Sequence, residues 1–181
     1  MSDIRVVPAT AAEVPVILEM IQGLAEYEKL SHLVTATAEQ IRETLFGPMP
    51  AAEVLLARWN DEWAGFALFF PNYSTFLAQP GLYLEDLYVK PHARGRGIGL
   101  ALLIELAKLA VARGCGRVDW AVLDWNEPSI QFYRKLGAEA KVEWTTFRLT
   151  GEPLRQLAAR EIATASQLHW SKQPAVAERE E

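Results

Sequence analysis

The sequence predicts a mixed α/β domain, with a central, mostly antiparallel sheet flanked by helices, and three observations carry that reading. Its apolar patterns run in the order strand, two helices, three strands, then helix, strand, helix and strand. Two of the strand patterns, 53–58 and 63–70, are joined by Asn60-Asp61-Glu62, a hairpin signal that makes the front of the sheet antiparallel. The strand pattern at 82–89 leads through a glycine-rich turn straight into an amphipathic helix at 100–113, which is βαβ-like.

Each element has its own signal. Residues 4–7 form a short strand closed by Pro8. Thr10 caps the first helix, and Glu13 three residues on completes a capping box. Behind that cap Val14, Ile17, Leu18, Ile21, Leu24 and Ala25 recur at helical spacing. Thr37 opens a second helix that runs to about Phe46 and stops at Gly47-Pro48. Residues 72–81 read as a loop after the hairpin. Ile98, Leu102, Leu106 and Leu109 form the buried stripe of the helix that Gly114 ends. A strand follows at 117–123. Asn126-Glu127-Pro128-Ser129 then opens a helix, with Pro128 suited to its first turn and Gly137 at its end. A last strand is expected at 143–149, another helix over 152–166, and a frayed polar end from 173. The organisation is one domain over 1–151 and a C-terminal helical extension with a tail over 152–181.

Composition narrows the function classes. With 181 residues, half of them hydrophobic and six of them Trp, the chain has the means for a substantial core. One cysteine, Cys115, excludes an internal disulfide and fits a reducing compartment; with no His near it in sequence, it reads as a small buried hydrophobe. There is no apolar run long enough to cross a membrane, and the start, Met1-Ser2-Asp3-Ile4-Arg5, lacks the form of a signal peptide, so a soluble, cytoplasmic protein is expected. A net charge of −5 with no basic cluster beyond Arg94 and Arg96 argues against nucleic acid and mildly favours a cationic substrate. His32, His92 and His169 do not have metal-ligand spacing, and no metal is expected.

The most informative stretch is Val89-Lys90-Pro91-His92-Ala93-Arg94-Gly95-Arg96-Gly97-Ile98-Gly99. A strand, a glycine-rich turn and a helix start make an anion cradle, because glycine lets the backbone approach a ligand and the first helical N–H groups point at it. The order Arg-Gly-x-Gly-x-Gly suits a pyrophosphate held mainly by backbone. It is neither a Walker loop nor a dinucleotide fingerprint. A tight turn ahead of a helix would use the same glycines, so the pattern alone leaves both readings open.

This order and the cradle together resemble the GNAT superfamily of acetyl-CoA-dependent N-acetyltransferases, over nearly the whole chain to about Leu157. Four strings resemble those of its diamine acetyltransferase family, the spermidine/spermine acetyltransferases and their thialysine-acetylating relatives. They are 5–12, Leu24-Ala25-Glu26-Tyr27-Glu28-Lys29-Leu30-Ser31, Tyr83-Leu84-Glu85-Asp86-Leu87-Tyr88-Val89, and Asp124-Trp125-Asn126-Glu127-Pro128-Ser129-Ile130-Gln131-Phe132-Tyr133. The resemblance implies acetyl-CoA as co-substrate. Leu87, Tyr88 and Val89 would pair through their backbone with the pantetheine. Gly95, Arg96, Gly97, Ile98, Gly99 and Leu100 would lie under the pyrophosphate, with Arg94 adding charge, and Asn126, Ser129 and Tyr133 would meet the far side. The acidic substrate pocket falls on Tyr27, Glu28, Glu85 and Asp86. The strings divide between the thialysine and polyamine branches, which leaves the amine open. The family is commonly dimeric, and a homodimer is expected.

Acetyl transfer needs a neutral amine, a polarised carbonyl and a proton for sulfur. An alkylamine of pKa about 10.4 costs about 4 kcal/mol to neutralise at pH 7.4, which a carboxylate acting through water helps to meet. Glu85 is the candidate base, because a carboxylate inside an apolar strand is costly unless paired or working. A Glu85 facing solvent or an arginine is the alternative. Glu85 and Asp86 are adjacent and point to opposite faces of a regular strand; only a bulge brings both to one cleft. Glu85 is therefore ranked first, with Asp86 in a substrate or structural role. Tyr133 is the candidate general acid for the leaving thiolate, and core packing with Phe132 is the alternative. The N–H near Leu87 would donate to the thioester oxygen. Trp120, Trp125 and Trp144 are expected in the core or the cleft wall. The expected function is acetyl transfer to a primary amine of a small cationic molecule in a ternary complex. The alternatives are acetylation of a protein lysine or N-terminus, or a CoA-binding sensor without turnover.

Overall fold

The computed structural model describes residues 4–160. The chain divides into two compact units, Met1–Ile130 and Gln131–Glu181. The first holds a five-stranded sheet in the order β1-β2-β3-β4-β5. Its strands are β1 (Ile4–Pro8), β2 (Glu53–Trp59), β3 (Glu62–Ser74), β4 (Gln79–Val89) and β5 (Val118–Trp120). The first four pair antiparallel, and β5 pairs parallel to β4. The hairpin between β2 and β3 turns on Asn60 and Asp61, both at positive φ (48° and 67°), as the twist-matched two-residue turn requires.

Two layers of helix cover the sheet. On one face α1 (Val14–Tyr27) and α2 (Ala38–Phe46) bury Val14, Ile17, Met20 and Ile41 against Val54, Leu56, Phe66 and Tyr88. Both helices start at threonine capping boxes; Thr10 caps a short 3₁₀ turn at Ala11–Glu13 that precedes α1. On the other face α3 (Ile98–Ala112) packs Ile98, Leu102, Leu106 and Ala110 against Leu55, Phe69, Leu82 and Leu84. Full burial of each of these larger side chains contributes about 1.5–3 kcal/mol. Leu109, expected in the buried stripe, is only partly buried beside that cluster, and the helix begins at Ile98, two residues ahead of the expected start.

The loop expected at 72–81 shrinks to residues 75–78, because β3 and β4 continue pairing from Phe70↔Tyr83 out to Ser74↔Gln79. The strand expected at 117–123 keeps only Val118–Trp120, where its ladder with β4 ends.

Helix α4 (Glu127–Lys135) runs from the end of the first unit into the second. The second unit continues past Gly137 (φ 86°) to α5 (Gly151–Ala158). The strand expected at 143–149 is absent. Its aromatic and β-branched residues favour a strand only when one is there to pair with, and here Trp144 and Phe147 are 71 % and 91 % exposed. The expected helix over 152–166 is seen as far as Ala158, and its remainder, like the expected frayed end, lies outside the described residues.

Candidate active site

The register of β4 against β3 jumps once. Asp86 faces Leu68 and Leu84 faces Phe69, which leaves Glu85 as an extra residue without a partner: a β-bulge. Its consequence is visible in the packing. Leu82 and Leu84 lie in the α3-side core, but so do Leu87 and Val89, so the side-chain alternation reverses across Glu85. The same register sets Asp86 on the α1 side with its partner Leu68, beside Tyr88 and Phe66. β5 accompanies β4 only from Leu82 to Leu84, and from the bulge onward the sheet continues on the β3 side alone. Among the described residues, the strand edge at Leu87, Tyr88 and Val89 thus has no sheet neighbour on the β5 side.

The bulge gathers acid. Asp86 is pushed up from its ordinary 3.8 to about 6, chiefly by burial, then by the charges of Glu85 and Glu28. Burial also raises Glu28. Glu85 itself is exposed, contrary to the buried setting its apolar neighbours suggested, because the bulge takes it out of the ladder. Two of the other residues expected in the substrate pocket, Glu85 and Glu28, thus act electrostatically on Asp86.

The fourth, Tyr27, is the last residue of α1. Its hydroxyl donates to Asn126 Oδ1 at 3.1 Å, its ring lies 5.7 Å from that of Trp125, and the Arg94 guanidinium sits 4.4 Å from its centroid. Arg94 Nε also donates to the Val89 carbonyl at 3.0 Å. Asn126 is 7 % exposed, and its backbone carbonyl accepts the Ile130 N–H at 3.0 Å at the start of α4. The Arg94–Tyr27 stack carried no signal in the sequence, since a contact between distant segments has no local spacing.

The glycine-rich turn runs straight into α3. Gly95 and Gly97 hold positive φ (73° and 86°), a conformation that disfavours side chains, and Gly97 is the N-cap of α3. The Ala101 N–H bonds the Gly97 carbonyl, so the first-turn N–H groups of Ile98, Gly99 and Leu100 precede the helical ladder. Arg96 stacks 4.2 Å over Trp59 at the cradle's edge. These backbone groups and the open edge of β4 fit a CoA pyrophosphate and pantetheine. A cavity of about 760 Å³ also opens beside Gly23, Glu26, Tyr88, Lys90 and His92; it does not include Glu85 or Asp86, and the chemistry is better sought at the bulge.

Ser129 is half-buried on α4. Tyr133, also on α4, belongs to the second unit, and burial pushes its phenol up to about 12. Of the tryptophans expected in the core or cleft wall, Trp120 is half-buried and Trp125 meets Tyr27, whereas Trp144 is exposed. Among the described residues there is no metal-holding group and no helix long and apolar enough to cross a membrane.

Comparison with known proteins gives a consistent picture. The acetyltransferase (GNAT) family profile matches residues 21–138. A thialysine N-ε-acetyltransferase of Sus scrofa is 41 % identical over 155 residues, covering 80 % of this chain and 91 % of the relative. An L-ornithine N5-acetyltransferase of Arabidopsis thaliana is 35 % identical over 198 residues, covering 84 % and 87 %. Among solved structures, an integron cassette protein from the mobile metagenome of V. cholerae superposes with a TM-score of 0.74 at 25 % identity, covering 87 % of this chain and 98 % of that one.

Proposed function

This chain belongs to the acetyltransferase (GNAT) family, and we propose that it moves the acetyl group of acetyl-CoA directly to a primary amine of a small cationic substrate, in a ternary complex. The observation that carries this reading is the bulge at Glu85, where an open strand edge and a cluster of three carboxylates adjoin. In this reading the cradle over 95–100, the edge of β4 and Asn126 hold the acyl donor, with Arg94 and Ser129 beside it, and Tyr133 remains the candidate general acid for the leaving thiolate. Tyr27, Glu28, Glu85 and Asp86 receive the amine. The names of the relatives, which concern thialysine and ornithine, support an amino acid with a terminal amine as the first substrate to try. Polyamines come next.

The reaction needs one proton taken from the ammonium before attack. The nitrogen then adds to the thioester carbonyl, the C–S bond breaks, and the second nitrogen proton is lost as the thiolate becomes a thiol. Between the two adjacent carboxylates, Asp86 is the better placed acceptor. It is half-buried where Glu85 is exposed, and its rise from 3.8 to about 6 closes roughly a third of the gap to an alkylammonium near 10.4. The exposed Glu85 then holds the cation or the water that relays the proton. The Leu87 N–H, on the open edge, is the donor to the developing oxyanion.

The test is thiol release from acetyl-CoA with L-thialysine, L-ornithine, L-lysine, spermidine, putrescine and a lysine peptide. A preference for one small amine establishes the reading. CoA binding with no release from any amine would favour a sensor, and preference for the peptide would favour protein acetylation. We also propose a cytoplasmic homodimer; a monomer by light scattering refutes that assembly.

A further inference from the structure

Tyr27 links Arg94 below the cradle to Asn126 at the start of α4, and it precedes Glu28 in the chain. Its neighbour Glu28 acts on Asp86 in the amine pocket. Its ring lies under Arg94 at the foot of the cradle, and its hydroxyl reaches Asn126, which stands at the start of α4. Glu28 cannot move independently of it. The end of α1 is closed by the Glu28, Lys29 and Leu30 N–H groups on the carbonyls of Leu24, Glu26 and Ala25, with Lys29 at a positive φ of 61°. This tight turn makes Tyr27 and Glu28 one mechanical piece. Asn126 is equally fixed, because a buried amide is costly to leave without partners.

We propose that Tyr27 is a positioning residue that couples the two ends of the cleft: acyl donor at the cradle and Asn126 sets Tyr27, and Tyr27 sets Glu28 opposite Asp86, so that donor binding raises the affinity for the amine. The inference rests on the transferase reading above. It goes beyond a list of contacts, because coupling is a reciprocal quantity: if CoA tightens the amine by some factor, the amine tightens CoA by the same factor. The ring and the hydroxyl have separable parts. The ring holds the cradle side through Arg94 and leans on Trp125, while the hydroxyl alone reaches Asn126.

The experiment is calorimetric titration of the amine that the panel favours, with and without saturating CoA, which binds but cannot be turned over. Wild type is expected to bind the amine about tenfold more tightly with CoA present, within the usual range of coupled sites; an amine that binds only with CoA counts the same way. Tyr27→Phe keeps the ring and removes the hydroxyl. It should bring that ratio to within about threefold of one, with the affinity for CoA alone and the melting temperature little changed. Loss of a merely structural contact would weaken both ligands and leave the ratio intact. A wild-type ratio of one, or a variant with the wild-type ratio, overturns the coupling while the transferase reading stands. A wild type that binds no CoA and releases no thiol overturns both.

Discussion

Asp86 stands under two opposed demands. Its carboxyl titrates near 6 in the folded protein, above its ordinary 3.8, so folding favours the protonated form. That contribution to stability is complete below pH 3.8 and is lost as the pH rises through about 6. At neutral pH the ionised group therefore costs stability, about 3 kcal/mol at about 1.4 kcal/mol per pH unit. Asp86→Asn should raise the melting temperature at pH 7.5 by roughly 5 °C or more and change it little at pH 4. The same change should lower turnover by about 10²–10⁴-fold and abolish an acidic limb near pH 6 in kcat/KM. Unchanged melting at pH 7.5 would show that the ionised carboxylate is not held at a cost. Tyr133 presents the reverse problem. With its phenol at about 12 and a thiol near 8.5, handing over a full proton is uphill by about 5 kcal/mol. Tyr133 would act by hydrogen-bonding sulfur as the C–S bond breaks, giving up its proton only as the charge develops. Tyr133→Phe should lower kcat by about 10²–10⁴-fold, and a kcat within twofold of wild type would remove it from the mechanism. The residue types of this site were legible in the sequence, because the strings that carry them are contiguous. Their ranking was not: whether Glu85 or Asp86 is the less exposed one depends on a pairing partner, Leu68, that lies on another strand.

At the scale of elements, the bulge is the device that makes the site. Leu84 and Asp86 already oppose consecutive residues of β3, so removing Glu85 would leave a regular ladder with every core side chain on its present face. A Glu85 deletion should therefore fold, with a melting temperature within a few degrees of wild type, yet lose both the Glu85 carboxylate and the local bend of the strand between Leu84 and Asp86. Circular dichroism and thiol release read the two halves of that expectation. Wild-type turnover from the deletion would show the bulge to be incidental. The elements whose signals are local came through in the sequence: the Thr10 capping box, the helix start at Thr37, the Asn60-Asp61 turn, the glycines at 95 and 97. The elements that failed were those defined by pairing. β5 stops at Trp120, where its ladder with β4 ends at Leu84, and residues 143–149 have strand-favouring side chains without a ladder.

For the whole molecule, the net charge of −5 and the acidic cluster act together on a cationic amine and against a polyanionic donor. Salt screens both over a length of about 8–10 Å near physiological strength. Raising the salt from 20 to 300 mM, about a fifteenfold change, should raise the KM for the amine severalfold and leave the KM for acetyl-CoA unchanged or lower. Equal, small changes in both would mean that the amine pocket does not work through charge. By itself the sequence determined the layered α/β class, the glycine turn, the threonine-led starts of the first two helices and the family, because caps, turns and motif strings are written within a few neighbouring residues. Only the tertiary structure decided that Glu85 is the bulge and Asp86 the less exposed acid, and that Tyr27 links Arg94 to Asn126. Register, burial and charge proximity are properties of segments brought together from afar, and their energies exist only once the sheet has closed.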